Sequence, residues 1–188
     1  EVQATLTKGL VGYTDVQGPR GTPDLGWGFN TPSIQLVNSY QPGDLRKNAT
    51  VLFVPSTLWD GFIAPTTWNN PRYNYKAYQS SIAEPWNGNK GETAKNLRIL
   101  KYSDLLLIHA EAAFKLGNTS NALMQINTIR NRAGLASLTS LTIDELYNER
   151  RWEMAMEHER WFDIIRTGKA RTAMLAVGKN FIVGTHEL

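Results

Sequence analysis

Apolar residues in the second half of the chain recur at spacings of three and four positions, the period of an amphipathic helix. The pattern predicts one helix over residues 101–116 and another over residues 119–132, ended by Gly117 and Gly134. The first helix carries apolar residues all round, so we expect it to be buried on two sides. The stripe expected to face inward is Tyr102, Leu105, Leu106, His109, Ala110, Ala113 and Leu116.

Two more helices are predicted further along. In residues 142–157, Thr142 and Glu145 have the spacing of a capping box, in which each side chain bonds the backbone of the other residue. A short helix is expected over residues 160–167, and a last turn and strand over residues 181–183.

Helices joined in short-linked pairs are typical of helical repeats, and the first pair matches tetratricopeptide spacing in part. Ala110 and Ala122 are expected to lie close together where its helices cross, because small residues allow close approach. The predicted fold is therefore mostly α, a tetratricopeptide-like α-α superhelix. One repeat cannot bury its own faces, which suggests that the chain is part of a longer protein.

The first half has a different character. It holds twelve of the nineteen aromatic residues and all eight prolines, so long helices are not expected there. One short helix is predicted over residues 32–40 with Thr31 as its N-cap, one strand over residues 49–54, and loops elsewhere. We therefore divide the chain into residues 1–90, a loop-rich, aromatic-rich subdomain facing a ligand, and residues 91–188, a helical segment continuous with it.

The composition and the missing motifs argue against several classes of function. The net charge is +3 with no basic tail or stripe, so nucleic-acid binding is not supported. The chain contains no cysteine, which excludes disulfides, thiolate metal sites and cysteine nucleophiles. Its three histidines lack metal-binding spacing, and His109 reads as a core histidine. Nucleophile, P-loop and dinucleotide motifs are also missing, so we expect no metal, no cofactor and no enzymatic activity.

Charged residues concentrate between Glu149 and Arg166. Helical spacing turns some of them toward the protein, where they could form an ion-pair network between helices. A catalytic pair of carboxylates is the alternative interpretation. We favour the structural one, because structural ion-pair networks also shift the pKa values of carboxylates. The residues assigned to the structural network are Glu111, Arg150, Arg151, Glu153, Glu157 and Asp163.

Aromatic rings beside polar residues in the first-half loops are candidates for sugar binding, because sugar C–H faces stack on rings while hydroxyl groups bond nearby amides and carboxylates. The alternative is that these rings simply attach long loops to the helical body. The ligand-contact candidates are Trp27, Trp59, Asp60, Trp68, Asn70 and Tyr75. By contrast, Trp161 and Phe162 are expected in the core.

Several longer segments carry a family resemblance. They are LKYSDLLLIHAEA at residues 100–112, INTIRNRAGL at 126–135, ERRWEMA at 149–155 and EHERWFDIIRTG at 157–168, supported by NTPS at 30–33 and GDLR at 43–46. With these the chain resembles the SusD/RagB family of outer-membrane nutrient-binding lipoproteins of Bacteroidetes, over about residues 26–183. It looks like the C-terminal half of such a protein.

The resemblance implies a non-enzymatic binder of oligosaccharides or other nutrients at the cell surface. It implies a SusC-like TonB-dependent transporter as partner, the N-terminal half of the same protein as a second partner, and a lipid anchor on that half in the outer membrane. Helical motif residues have structural roles in the family, and its ligand residues lie in variable loops. A tetratricopeptide-type interaction scaffold and a glycoside-acting enzyme remain as alternatives.

Overall fold

A computed structural model describes residues 12–84 and 98–176 of the chain. The described part is mostly helical, with a few short strands in its first half. The first-half helices are α1 (Tyr13–Gln17), α2 (Ile34–Ser39) and α3 (Arg46–Thr50), and a 3-10 turn spans Tyr75–Ala77. The second-half helices are α4 (Tyr102–Lys115), α5 (Thr119–Arg132), α6 (Ile143–Glu153), α7 (Arg160–Arg166) and α8 (Ala170–Ala176).

Two small antiparallel strand pairs organise the first half. Strand β1 (Val51–Phe53) pairs with β4 (Arg72–Asn74), and β2 (Ser56–Thr57) pairs with β3 (Ile63–Ala64). The sequence predicts loops for most of this region, because strands of two or three residues are too short to show an alternating pattern. The single strand predicted over residues 49–54 begins only at Val51, after α3.

Helix ends follow local chemistry closely. Gly117 and Gly134 adopt positive φ after α4 and α5, and the amide of the next residue bonds back into the last turn, as in a Schellman motif. Thr142 and Glu145 form the capping box of α6. Helix α2 begins two residues later than predicted, because Ser33 rather than Thr31 accepts the capping bond, from the Leu36 amide.

One predicted helix differs in extent and another helix was missed. The helix predicted over residues 142–157 ends at Glu153, since Met156 has positive φ and interrupts it. Helix α8 was not predicted at all. The strand predicted over residues 181–183 lies outside the described residues.

The predicted inward stripe of α4 is largely wrong. Tyr102 is 73% exposed and Leu116 86% exposed, and His109 lies on the surface, where it contacts Asn121. The helix instead buries the face that carries Asp104, Leu107 and Glu111, together with Ser103, Ala110 and Ala113. The buried carboxylates bind arginines of α6 and α7, which allows a partly polar face to pack inward.

Two apolar cores form, one in each half. The helical core is centred on Leu107, Ile126 and Leu146, and the first-half core on Leu52, Trp68 and Tyr73. A third buried cluster of Tyr40, Trp152 and Ala155 lies where α2 meets α6. No helix within residues 12–84 and 98–176 is both long and apolar enough to cross a lipid bilayer.

Candidate functional site

Trp27 lies on a loop that is fastened to α1. The amides of Trp27 and Phe29 donate to the carbonyls of Asp15 and Val16, at 2.7 and 3.0 Å. The indole Nε1 donates to Asp15 Oδ2 at 3.0 Å, while 57% of the residue stays exposed. The ring is therefore held in place by its edge with much of its surface open to solvent, which is how a stacking platform is preorganised.

The backbone beside this ring requires glycine. Gly28 has φ +74°, and a Cβ there would lie 2.9 Å from Cβ of Arg20 and 3.3 Å from the ring of Tyr73. Phe29, which follows, is 59% exposed and adds a second open ring that sequence reasoning did not select. Its signal was its place within the Gly-Trp-Gly-Phe run, in which two rings alternate with glycine.

Trp59 occupies the turn between β2 and β3 and is 60% exposed. Its amide donates to the Tyr75 hydroxyl at 2.8 Å, so the half-buried Tyr75 ring supports the turn. The Tyr75 hydroxyl is thus bonded to the loop that carries Trp59. The Tyr75 ring is less exposed than the Trp59 ring.

Asp60 fixes the same turn. Its carboxylate accepts hydrogen bonds from the Phe62 amide at 3.0 Å, the Tyr78 hydroxyl at 2.8 Å and the Ser80 hydroxyl. Partial burial opposes ionisation, but these hydrogen bonds outweigh it and hold the pKa of Asp60 below its usual value. The carboxylate therefore has a structural role in this turn, and its role in ligand contact stays a prediction.

Trp68 is not a surface ring. It is 4% exposed, stacks on Phe62 at 5.9 Å between centroids and meets Tyr73 edge-on at 5.7 Å. Its Nε1 donates to the Pro23 carbonyl at 2.9 Å. The prediction that Trp68 contacts ligand is therefore wrong, because the ring forms the centre of the first-half core.

Asn70 is half-buried beside this core, and its backbone amide donates to the Tyr73 hydroxyl at 3.0 Å.

Trp161 and Phe162 show the opposite error from Trp68. They are 45% and 65% exposed although the helical spacing placed them in the core. Of the six ligand-contact candidates, Trp27 and Trp59 are the ones that present large open rings.

The ion-pair network is centred on α6. Arg150 is buried, pairs with Asp104 and binds both Asp163 oxygens from its Nε at 2.8 and 2.9 Å. Arg166 bridges Asp163 to Glu111. These contacts join α4, α6 and α7, which agrees with a structural interpretation of the charge cluster.

Glu153 and Glu157 carry the network into the first half. Burial disfavours the ionised form of Glu153, but the hydrogen bond from Arg132 and the charge of Lys101 outweigh it and lower its pKa to about 2. Glu157 binds Lys76 and Lys101, which links the 3-10 turn to the helical half.

Arg151 does not join this network, contrary to prediction. No carboxylate in residues 12–84 or 98–176 lies within 4.0 Å of its guanidinium. Successive residues on a helix point about 100° apart, so Arg150 and Arg151 cannot both face the same partners.

The sequence analysis also missed a buried cluster that crosses between the halves. Arg46 binds Asp44 at 2.7 Å and Glu149 at 2.6 Å, and Arg130 binds the other Glu149 oxygen at 3.0 Å. The Gly-Asp-Leu-Arg run at residues 43–46 was a signal, but spacing alone could not show that its arginine meets a helix far along the chain. Within the described residues, no group of three or more His, Asp or Glu side chains could hold a metal ion.

Comparison with known proteins agrees with the resemblance seen in sequence. A sequence profile described as the SusD family matches residues 53–184. A SusD-like protein of Bacteroides ovatus is 30% identical over 177 residues, which cover 86% of this chain and 30% of that protein. SusD-like protein P2 of Formosa agariphila is 31% identical over 160 residues, 75% of this chain and 32% of that protein.

Solved structures give the same answer for the fold. A laminarin-binding SusD-like protein superposes with a TM-score of 0.71 at 26% identity, over 92% of this chain and 39% of its own. Surface glycan-binding protein A from Bacteroides uniformis superposes with a TM-score of 0.61 at 27% identity, over 77% of this chain and 31% of its own.

The helical fold and these matches define a SusD-like protein. The chain belongs to the SusD family. Proteins of this family are binding proteins rather than enzymes. The chain spans about a third of the length of the two relatives named above, 30% of one and 32% of the other.

Proposed function

We propose that this chain binds an oligosaccharide through the rings of Trp27 and Trp59 and has no catalytic activity of its own. The observation that carries the proposal is the Trp27 side chain, held at its edge by Asp15 while 57% of the residue is exposed. Exposing an indole to water is unfavourable. Stacking of a sugar C–H face on the ring would remove that apolar surface from water. The laminarin-binding and glycan-binding relatives in structure support glycans as the ligand class.

The proposal is tested by isothermal titration with laminarin oligosaccharides and a panel of other glycans. Trp27→Ala and Trp59→Ala are expected to weaken binding about tenfold or more, since a stacking contact is worth ~1–3 kcal/mol. Tyr102→Ala is a matched control, because Tyr102 is 73% exposed but lies on α4 and not on the loops. Circular dichroism checks that each variant keeps its helices.

Two results would contradict the proposal. One is normal glycan affinity in both tryptophan variants, which would place the site elsewhere. The other is release of reducing sugar by the purified chain, which would favour a glycoside-acting enzyme. The tetratricopeptide alternative has one helical hairpin, α4 and α5, to support it in the described part of the chain, and binding of a peptide without any glycan would favour it.

We further propose that α4 packs against additional polypeptide of the same protein. Its outer face exposes Tyr102, Leu105 and Ile108, each to 49% or more, and the relatives are about three times as long as this chain. The N-terminal part of the full protein is the proposed occupant. Hydrogen exchange of α4 in the full protein should be slower than in this chain, and equal rates would contradict the proposal.

Family membership also motivates proposals about cellular context. We propose that the full protein lies at the surface of the outer membrane, held by a lipid on its N-terminal part. There it would deliver its glycan to a SusC-like TonB-dependent transporter. Co-purification with the barrel after co-expression tests this, and failure to form a complex in the presence of the glycan would contradict it.

A further inference from the structure

A groove of about 510 Å³ lies between the start of α2 and the α6–α7 region. We call it the arginine groove and define it by five of its lining residues, Asn30, Arg151, His158, Arg160 and Trp161. Among the described residues, its lining includes polar groups from both halves of the chain but no aspartate or glutamate. This part of the groove is therefore positively charged, without a carboxylate counterion in its described lining.

The two arginines of the groove differ from the arginines of the ion-pair network. Neither Arg151 nor Arg160 has a carboxylate within 4.0 Å among the described residues. Asp163, whose charge reaches Arg160, is already bound by other arginines of the network. Five arginines elsewhere each bind at least one carboxylate, namely Arg46, Arg130, Arg132, Arg150 and Arg166.

The pair is also close enough for the charges to oppose each other. Arg160 is exposed and Arg151 half-buried; partial desolvation lowers the pKa of Arg160, and the charge of Arg151 lowers it further. Burial likewise lowers the pKa of Arg151. An anion between the two guanidinium groups would stabilise both positive charges and raise both pKa values. Each group presents a planar fork of donors suited to a carboxylate.

Backbone strain concentrates at the same place. In residues 12–84 and 98–176, the non-glycine residues with positive φ are Asn30 at 53°, Met156 at 66° and His158 at 70°, and all three line the arginine groove. Such conformations are uncommon for residues other than glycine and cluster at binding sites. The strained turns fix polar side chains, because Asn30 Nδ2 donates to Gln17 Oε1 at 2.8 Å and Gln17 Nε2 lies 3.5 Å from His158 Nε2.

Trp161 supplies an apolar surface beside these polar groups. It is 45% exposed and lines the groove, whereas its neighbour Phe162 is exposed outside it. An exposed indole next to two unpaired guanidinium groups matches a ligand with one sugar face and one negative charge. The loop that carries Trp27 leads directly into Asn30, which lines the groove.

We propose that the arginine groove binds the carboxylate of an acidic sugar, of the uronic acid class, with Arg151 and Arg160 holding the carboxylate and Trp161 stacking on the sugar ring. The inference rests on the proposed glycan-binding function and specifies the chemical class of glycan.

The test uses matched pairs of ligands, namely uronic-acid-containing oligosaccharides from pectin, alginate and hyaluronan and the same oligosaccharides after reduction of their carboxyl groups. Isothermal titration with the purified chain is expected to show binding to at least one acidic member, at least tenfold tighter than to its reduced counterpart. Arg151→Gln and Arg160→Gln should each remove most of that difference. Arg171→Gln is the matched control, because Arg171 is exposed on α8 and does not line the groove.

The outcomes separate this inference from the function on which it rests. Equal affinity for acidic and reduced oligosaccharides that still depends on Trp27 would overturn the arginine groove and leave glycan binding intact. Acidic binding that survives both arginine substitutions, or a preference for sulfated neutral oligosaccharides, would also overturn it. Absence of binding to every glycan in either panel would overturn both proposals.

Discussion

The side chain of Trp68 is almost fully enclosed, whereas most of the Trp59 side chain is open to solvent. Both indoles lie in segments rich in Asn, Pro or Gly, and both have polar neighbours. What separates them is enclosure by the rest of the fold, since the Trp68 Nε1 reaches Pro23, which is distant in sequence, and its ring packs against Tyr73. A single sequence does not contain those contacts, so at the scale of the residue it could nominate rings but could not sort core from surface.

The two indoles predict different stabilities on truncation. Trp68→Ala should lower the free energy of unfolding by about 3–5 kcal/mol, because it removes a large buried ring and leaves a cavity. Trp59→Ala should change it by no more than about 0.5 kcal/mol. Urea denaturation followed by circular dichroism measures both, and comparable losses in the two variants would contradict the assignment of Trp59 to the surface.

At the scale of the element, the sequence predicted best where local chemistry decides. The ends of α4 and α5 and the capping box of α6 depend on glycines and caps next to them in the chain, and these were predicted to within a residue or two. The inward face of α4 was not, because the apolar residues surround the helix and its buried carboxylates depend on arginines from other helices. Most of the short strands were missed because two or three residues are too few to show an alternating pattern.

The packing of α4 on α5 gives an element-scale prediction. Ala122 is fully buried in the helical core, so Ala122→Leu should overpack the contact and lower the free energy of unfolding by ~1–3 kcal/mol. Met124→Leu on the same helix is the control, because Met124 is 59% exposed and its change should cost less than about 0.5 kcal/mol. An Ala122→Leu protein as stable as the parent would contradict close packing at this residue.

At the scale of the whole molecule, the two halves are joined by buried and partly buried ion pairs. Arg46 and Lys76 of the first half bind Glu149 and Glu157 of the second, and the Tyr40 hydroxyl donates to the Trp152 carbonyl at 3.3 Å. The sequence predicted an ion-pair network within the helices but not its extension across the chain. Removing one partner of a buried pair leaves the other charge uncompensated, so these contacts make the halves depend on each other.

That dependence should appear as acid lability centred on Glu153. Its pKa is lowered from 4.5 to about 2, and it is 4% exposed, so the folded state favours the ionised form. The resulting stabilisation is complete above pH 4.5 and is lost as the pH falls toward 2. It amounts to about 3 kcal/mol, because each pKa unit corresponds to 1.36 kcal/mol.

Glu153→Gln should therefore be less stable than the parent at pH 7, by roughly that amount, and should show a flatter dependence of unfolding free energy on pH between 4.5 and 2. Asp144→Asn is the control, because Asp144 forms an exposed pair with Lys169 and should contribute no more than about 1 kcal/mol. Thermal unfolding of the three proteins across this pH range measures the slopes, and a parent slope that persists in Glu153→Gln would place the acid-sensitive group elsewhere in the network.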